Sequence, residues 1–200
     1  MGGTLTWYAN NGFYLDGQAQ VTWFDSDLGS STAGLSLADG NDGVGYALSL
    51  EAGKRIELSP VWFTTPQAQL TYSAVDFDDF VDPFGAAVSL GSADNFVGRL
   101  GISLDRQTEW QDSAGSTNRS HLYGIANLYY DFDGGSNVDV AGVGLESEND
   151  ALWGGVGLGG SLNFADDKYS VYGEALAKTS LENFGDSYSV KGTVGFRVNW

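Results

Sequence analysis

The sequence predicts an all-β protein, an antiparallel transmembrane β-barrel, on three observations. Eight segments alternate apolar and polar side chains at a period of two, the apolar faces end in Tyr, Trp or Phe at strand termini, and short connections take turns with long acidic ones. Strict alternation over eight or more residues marks a strand with two unlike faces. A barrel in a bilayer writes that pattern in segments of roughly ten residues, with aromatic girdles at both interfaces and rims of unequal size. A water-soluble sandwich would alternate as well. The girdle, the unequal rims and a polar face that mixes cations, carboxylates and glycines favour the membrane.

The first full strand lies in YLDGQAQVTWF, where Leu15, Gly17, Ala19, Val21 and Trp23 oppose Asp16, Gln18, Gln20 and Thr22; TLTWY ahead of it is a partial strand. GYALSLEAGKR sets Tyr46, Leu48, Leu50 and Ala52 against Ser49, Glu51, Gly53 and Arg55, and PQAQLTYSA sets Ala68, Leu70, Tyr72 and Ala74 against Gln67, Gln69, Thr71 and Ser73. In FVGRLGISLDR the apolar Phe96, Leu100, Ile102 and Leu104 face away from Arg99, Gly101, Ser103 and Asp105. LYGIANLYYDF places Leu122, Ala126, Leu128, Tyr130 and Phe132 opposite Tyr123, Ile125, Asn127, Tyr129 and Asp131. LWGGVGLGGSLNF gives Leu152, Val156, Leu158, Leu162 and Phe164 against Trp153, Gly155, Gly157, Gly159, Ser161 and Asn163. YSVYGEALAKT separates Tyr169, Val171, Ala175 and Ala177 from Tyr172, Glu174 and Lys178. The last strand, YSVKGTVGFRVNW, carries Tyr188, Val190, Gly192, Val194, Phe196, Val198 and Trp200 on one face, and Ser189, Lys191, Thr193, Gly195, Arg197 and Asn199 on the other.

Links such as SPVW and ADDK read as turns on one rim. The acidic DSDLGSSTAGLSLADGND, DFDDFVDPFGAAVSLGSADN and DGGSNVDVAGVGLESEND read as polar loops on the other, and TEWQDSAGSTNRS is a long link on the turn side that breaks the rule. No shift in composition divides the chain, so residues 1–200 form one domain. Met1-Gly2-Gly3 reads as a fragment start without a signal peptide, which places any export signal upstream.

Composition narrows the chemistry. A formal charge of −17 argues against nucleic acid as a partner, because binding phosphate takes an excess of lysine and arginine. With no cysteine and one histidine, no catalytic residue and no metal or cofactor site is assigned. A Ser-His-Asp triad would have to use His121, which reads as a solvated residue beside the STNRS link. GVGLGG matches a dinucleotide fingerprint in letters but sits inside a strand and opens no helix. Asp76, Asp78, Asp79 and Asp82 lack the glycine and terminal glutamate of a calcium loop. They read as a solvated acidic loop that can meet lipopolysaccharide phosphates through divalent cations.

The segments GFYLDGQAQVTWFDSDL, GYALSLEAGKRIEL, TPQAQLTYSAVDFDDFVDPFG and SADNFVGRLGISLD, with the aromatic-ended last strand, resemble the C-terminal translocator domain of autotransporters, the outer-membrane proteins of type V secretion. The resemblance runs over nearly the whole chain and implies a twelve-stranded barrel threaded by a linker helix that leads to a secreted passenger. With eight full strands, the chain resembles the C-terminal two-thirds of that domain, without the first strands, the linker helix or the passenger. The implied function is to anchor a passenger in the bacterial outer membrane and carry it to the cell surface. The implied partners are membrane lipid and lipopolysaccharide, the barrel assembly machinery, and the protein's own linker helix and passenger. The other reading is a small independent eight-stranded outer-membrane barrel with a structural or adhesive role.

Two sets of residues face the pore in this reading. Asp16, Glu51, Arg99, Asp131, Glu174, Lys178, Lys191 and Arg197 bring charge that survives in a barrel only if paired or hydrated, so a salt-bridge network between neighbouring strands is expected. Gly155, Gly157 and Gly159 share the same face; they leave either a smooth groove for a passing polypeptide or room for a tight strand crossing. By the resemblance, Phe196, Val198 and Trp200 form the signal read by the assembly machinery. Val97 and Ile125 stand at pore-facing positions where that family often carries arginine.

Overall fold

The computed structural model describes residues 1–31, 34–89, 92–133, 135–140, 143–148 and 150–199. Its strands, in order, are β1 (Gly2–Tyr8), β2 (Phe13–Ser30), β3 (Leu35–Lys54), β4 (Ile56–Ser59), β5 (Trp62–Phe77), β6 (Phe80–Val81), β7 (Ala87–Ser89), β8 (Ser92–Gln111), β9 (Thr117–Asp131), β10 (Gly135–Val140), β11 (Val143–Glu148), β12 (Leu152–Phe164), β13 (Tyr169–Ser180) and β14 (Tyr188–Val198). One antiparallel sheet runs β1-β2-β3-β5-β8-β9-β12-β13-β14, so each strand pairs with its neighbour along the chain; β4 extends β3 alongside β5. The eight full strands and the partial one are all present. Among the described residues β1 and β14 do not pair with each other, so the sheet stays open at both edges instead of closing as a small barrel of its own.

The register keeps every predicted face intact. Leu5, Gly17, Leu50, Leu70 and Gly98 lie side by side on the apolar face, and Thr6, Asp16, Glu51, Gln69 and Arg99 on the polar one. The polar face is concave, because side chains two strands apart meet on it: Arg99 of β8 reaches over β5 to Glu51 of β3, and Tyr123 of β9 reaches over β12 to Glu174 of β13.

Burial is the reverse of a soluble domain's. Among the described residues the only buried hydrophobic side chain is Ala74, while Leu158 is 73% and Val194 85% exposed. The buried polar side chains among the described residues are those of Asn41, Ser103, Asn118, Asn127, Ser170 and Ser180. Contiguous exposed apolar surface on this scale needs a partner phase. An aliphatic band that includes Leu50, Leu100, Ile102 and Leu128 lies between aromatics towards the two ends of the strands. Phe164, Tyr169 and Phe196 stack at one rim, with ring centroids 5.5 and 6.3 Å apart. Tyr46 meets Tyr72, and Phe96 meets Phe132, at the other.

Local chemistry sets the turns. Gly12, at φ 82°, sits against the Arg55 carbonyl, where a side chain would collide. Pro66 has no N–H to offer, and it falls in the gap between the last β3 pair, Gly53 with Gln67, and the first β4 pair, Ile56 with Thr64.

The loop assignments need correction. TEWQDSAGSTNRS is no long link: β8 runs to Gln111, β9 starts at Thr117, and the Asp112 carboxylate accepts from Ala114 N and Ser116 N to close a tight turn. The first acidic segment continues the β2–β3 hairpin, with irregular register at Ser26, Leu28 and Gly29. Parts of the other two form a second sheet, β11-β10-β7-β6. These strands, from β6 to β11, are only 2, 3, 6 and 6 residues long, too short for a period-two pattern to stand out from the surrounding loop sequence.

Candidate functional site

The polar wall holds most of the predicted pore-facing charge, and its centre is an ion pair. Arg99 Nη2 lies 2.5 Å from Glu51 Oε2, with the side chains 16% and 20% exposed. The Tyr14 hydroxyl donates to Glu51 Oε1 at 2.5 Å, and Arg99 Nη1 donates to Asn127 Oδ1 at 3.3 Å. Arg99 Nε is buried without a partner among the described residues. A charge drawn this far from water is tolerable because both ends carry hydrogen bonds as well as each other's charge.

The remaining charges divide by strand. Asp16 accepts from the Thr6 hydroxyl and from Gln18 Nε2, Asp131 accepts from Asn95 Nδ2 at 3.0 Å, and Glu174 accepts from the Tyr123 hydroxyl at 2.9 Å. Lys178 Nζ stands 5.4 Å from the Trp153 ring and 5.9 Å from Tyr129, a cation held by aromatic faces. Lys191 and Arg197 are exposed on β14 and form no ion pair among the described residues.

His121 departs from its expected place. It is an interior residue of β9, not a turn residue, with Nε2 2.7 Å from Asp105 Oδ1 and its ring beside Tyr123. Ser103 Oγ donates to the other Asp105 oxygen at 2.5 Å. Ser161 lies opposite His121 in the register but makes no hydrogen bond to the ring, so the pair lacks a nucleophile held for attack.

The three glycines do not leave a smooth groove. Side chains lie where their Cβ atoms would be: Tyr129 3.2 Å from the Gly155 position, Ile125 3.1 Å and Leu176 3.2 Å from the Gly157 position, and the Tyr123 ring pressed against Gly159. Leaning over Gly159 lets the Tyr123 hydroxyl span β12 to Glu174. The register puts Tyr123 directly opposite Gly159, so this contact follows once the pairing is known. Phe196 and Val198 lie on the apolar face of β14; Trp200 lies outside the described residues.

The autotransporter beta-domain family model matches residues 1–175. The chain belongs to that family. It is 54% identical over 199 residues to the adhesin BmaC autotransporter of Brucella suis biovar 1, covering 100% of this chain and 6% of that protein. It is 30% identical over 160 residues to the pertactin autotransporter of Bordetella parapertussis, covering 80% of this chain and 17% of that protein. The chain therefore spans a small part of these relatives. The crystal structure of the beta domain of the Bordetella autotransporter BrkA matches with a TM-score of 0.64 at 20% identity, over 100% of this chain and 72% of that one, which shows the shared fold. As an autotransporter β-domain, the chain is an outer-membrane β-barrel domain of type V secretion.

Proposed function

We propose that this β-domain anchors a passenger in the outer membrane and exports it, with the polar wall lining the path and no enzymatic activity of its own. One observation carries the reading: the lipid-ready face is exposed while, among the described residues, every buried side chain but Ala74 is polar. Asp16, Glu51, Arg99, Asp131, Glu174, Lys178, Lys191 and Arg197 line the pore and hold it wet. Lipid leaves no backbone group unpaired, so the open edges of β1 and β14 are met by further strands of the same polypeptide, around its linker helix. The acidic loops face lipopolysaccharide through divalent cations. The edge of β14, with Phe196, Val198 and Trp200, is offered to the barrel assembly machinery before closure, as unpaired strands are.

The test separates biogenesis from stability. Trp200→Ser is expected to lower outer-membrane level and passenger display several-fold in cells, while the same variant refolded in detergent melts close to the parent, because an interfacial tryptophan adds little to a closed ladder. Tyr188→Ser, an aromatic change at the other end of the strand, is expected to leave cellular level near normal. Equal loss for both would reduce Trp200 to one more member of the girdle.

A further inference from the structure

The turn between β12 and β13 is unusual, and β14 leans on it. Ala165, Asp166 and Asp167 take φ values of 55°, 55° and 65°, three consecutive non-glycine residues in the left-handed region. L-residues visit that region singly and at a cost, so a run of three persists only where its surroundings impose it. Here they do. Thr117 N donates to Asp166 Oδ1 at 2.8 Å while Asp166 N donates to Thr117 O at 3.1 Å. Ala165 N donates to Oδ1 of the buried Asn118 at 3.2 Å. Arg119 forks between Asp167 and Glu109, reaching the latter at 2.8 Å. Residues of β8 and β9 thus fix a turn that belongs to the next hairpin.

The turn in turn holds the residue just past β14. The β13–β14 ladder ends with Tyr169 opposite Val198. Beyond it, Asn199 N donates to Lys168 O and Asn199 Nδ2 donates to Asp167 O, both at 2.8 Å. This hold bears on a choice that alternation leaves open. Sliding β14 by two residues keeps Val190, Gly192, Val194, Phe196 and Val198 on the apolar face, so the hydrophobic pattern excludes one-residue slips but not two-residue ones. Among the described residues β14 pairs only with β13, so until its other edge is met β13 alone is there to align against.

We propose that Arg119, Asp167 and Asn199 are positioning residues that set the register of β14: Arg119 and the β9 backbone hold the turn, and the turn's carbonyls engage Asn199 in one alignment only. The proposal rests on β14 being a strand of the membrane-facing sheet. It adds a device that picks one register among the patterns lipid would accept equally.

The chain has no cysteine, so engineered pairs report register cleanly. Leu176 lies opposite Lys191 on the polar face. A disulfide needs Cβ atoms about 4 Å apart, whereas diagonal neighbours two residues along stand about 7–8 Å apart. In the full polypeptide expressed in cells, with cross-links read in the detergent-extracted, heat-modifiable band, Leu176→Cys with Lys191→Cys should bridge at least tenfold more than Leu176→Cys with Thr193→Cys or with Ser189→Cys. Adding Asn199→Ala or Arg119→Gln should raise the off-register share at least threefold. Arg197→Ala, a neighbour outside the clasp, should leave it unchanged. Loss of the folded band with Asn199→Ala but not with Arg197→Ala also supports the clasp, since Asn199 is exposed and bonds only to the turn. An unchanged share in both clasp variants, or the same rise with Arg197→Ala, overturns it. A protein found wholly in the detergent-free fraction overturns the membrane reading instead, and the same ratios measured there still judge the clasp.

Discussion

Charges in the middle of the sheet and charges at its β13–β14 edge live under different rules. Between β3 and β9, Glu51 meets Arg99, Asp105 meets His121 and Glu109 meets Arg119. At the edge, Lys178 finds aromatic rings, and Lys191 and Arg197 find no carboxylate among the described residues. Lys191 stands opposite Leu176, so its diagonal neighbours on β13 are Lys178 on one side and Glu174 on the other, and it forms an ion pair with neither. The difference follows from curvature: a strand inside the sheet draws partners from both sides, sometimes from two strands away, whereas an edge strand draws from one. Electrostatic completeness here measures how fully a strand is surrounded.

The sharpest break of that comparison is Arg99→Ala. It strands Glu51 on a mostly buried wall, so thermal melts of the detergent-extracted protein should show a loss of about 3 kcal/mol. A loss below about 1 kcal/mol would mean that water already screens the centre as it does the edge. Next is the contrast between the two faces of β14. Val194→Arg should cost roughly 2 kcal/mol in folding titrations with lipid vesicles if the residue meets the bilayer midplane, and Thr193→Arg on the polar face far less; equal tolerance would undo the assignment of faces. Smallest is Lys191→Ala, expected to change stability by less than about 0.5 kcal/mol in the same melts, as for a solvated surface charge.

The alternation made the strands and their faces readable before any register was known, because a residue that meets lipid and one that meets the pore obey opposite rules at every second position. The pairing was less legible. Glu51 and Arg99 are 48 positions apart and meet only because β5 between them is curved, and Gln69 rather than either charge is their immediate neighbour on that strand. STNRS has the composition of a loop and so hides the place of His121, whereas β9 begins at Thr117 and carries Arg119 and His121 on its polar face. The glycine run leaves a groove and a tight crossing equally open in the sequence because what fills it comes from the neighbouring strands: Tyr123 and Tyr129 on β9 and Leu176 on β13.

The apolar residues of this sheet come in short runs broken by polar ones along the chain, and that spacing matters before folding as well as after it. Mean hydropathy is −0.16. A continuous apolar stretch of about 20 residues would be stopped as a helix by the first bilayer it entered. Leu, Val and Tyr interrupted by Ser, Gln and Asp present no such stretch, so the unfolded chain is a largely polar polymer. It becomes lipid-soluble only when pleating sorts its side chains to two faces. Hydrophobicity is therefore a property this chain acquires by folding, when its apolar side chains gather on one face.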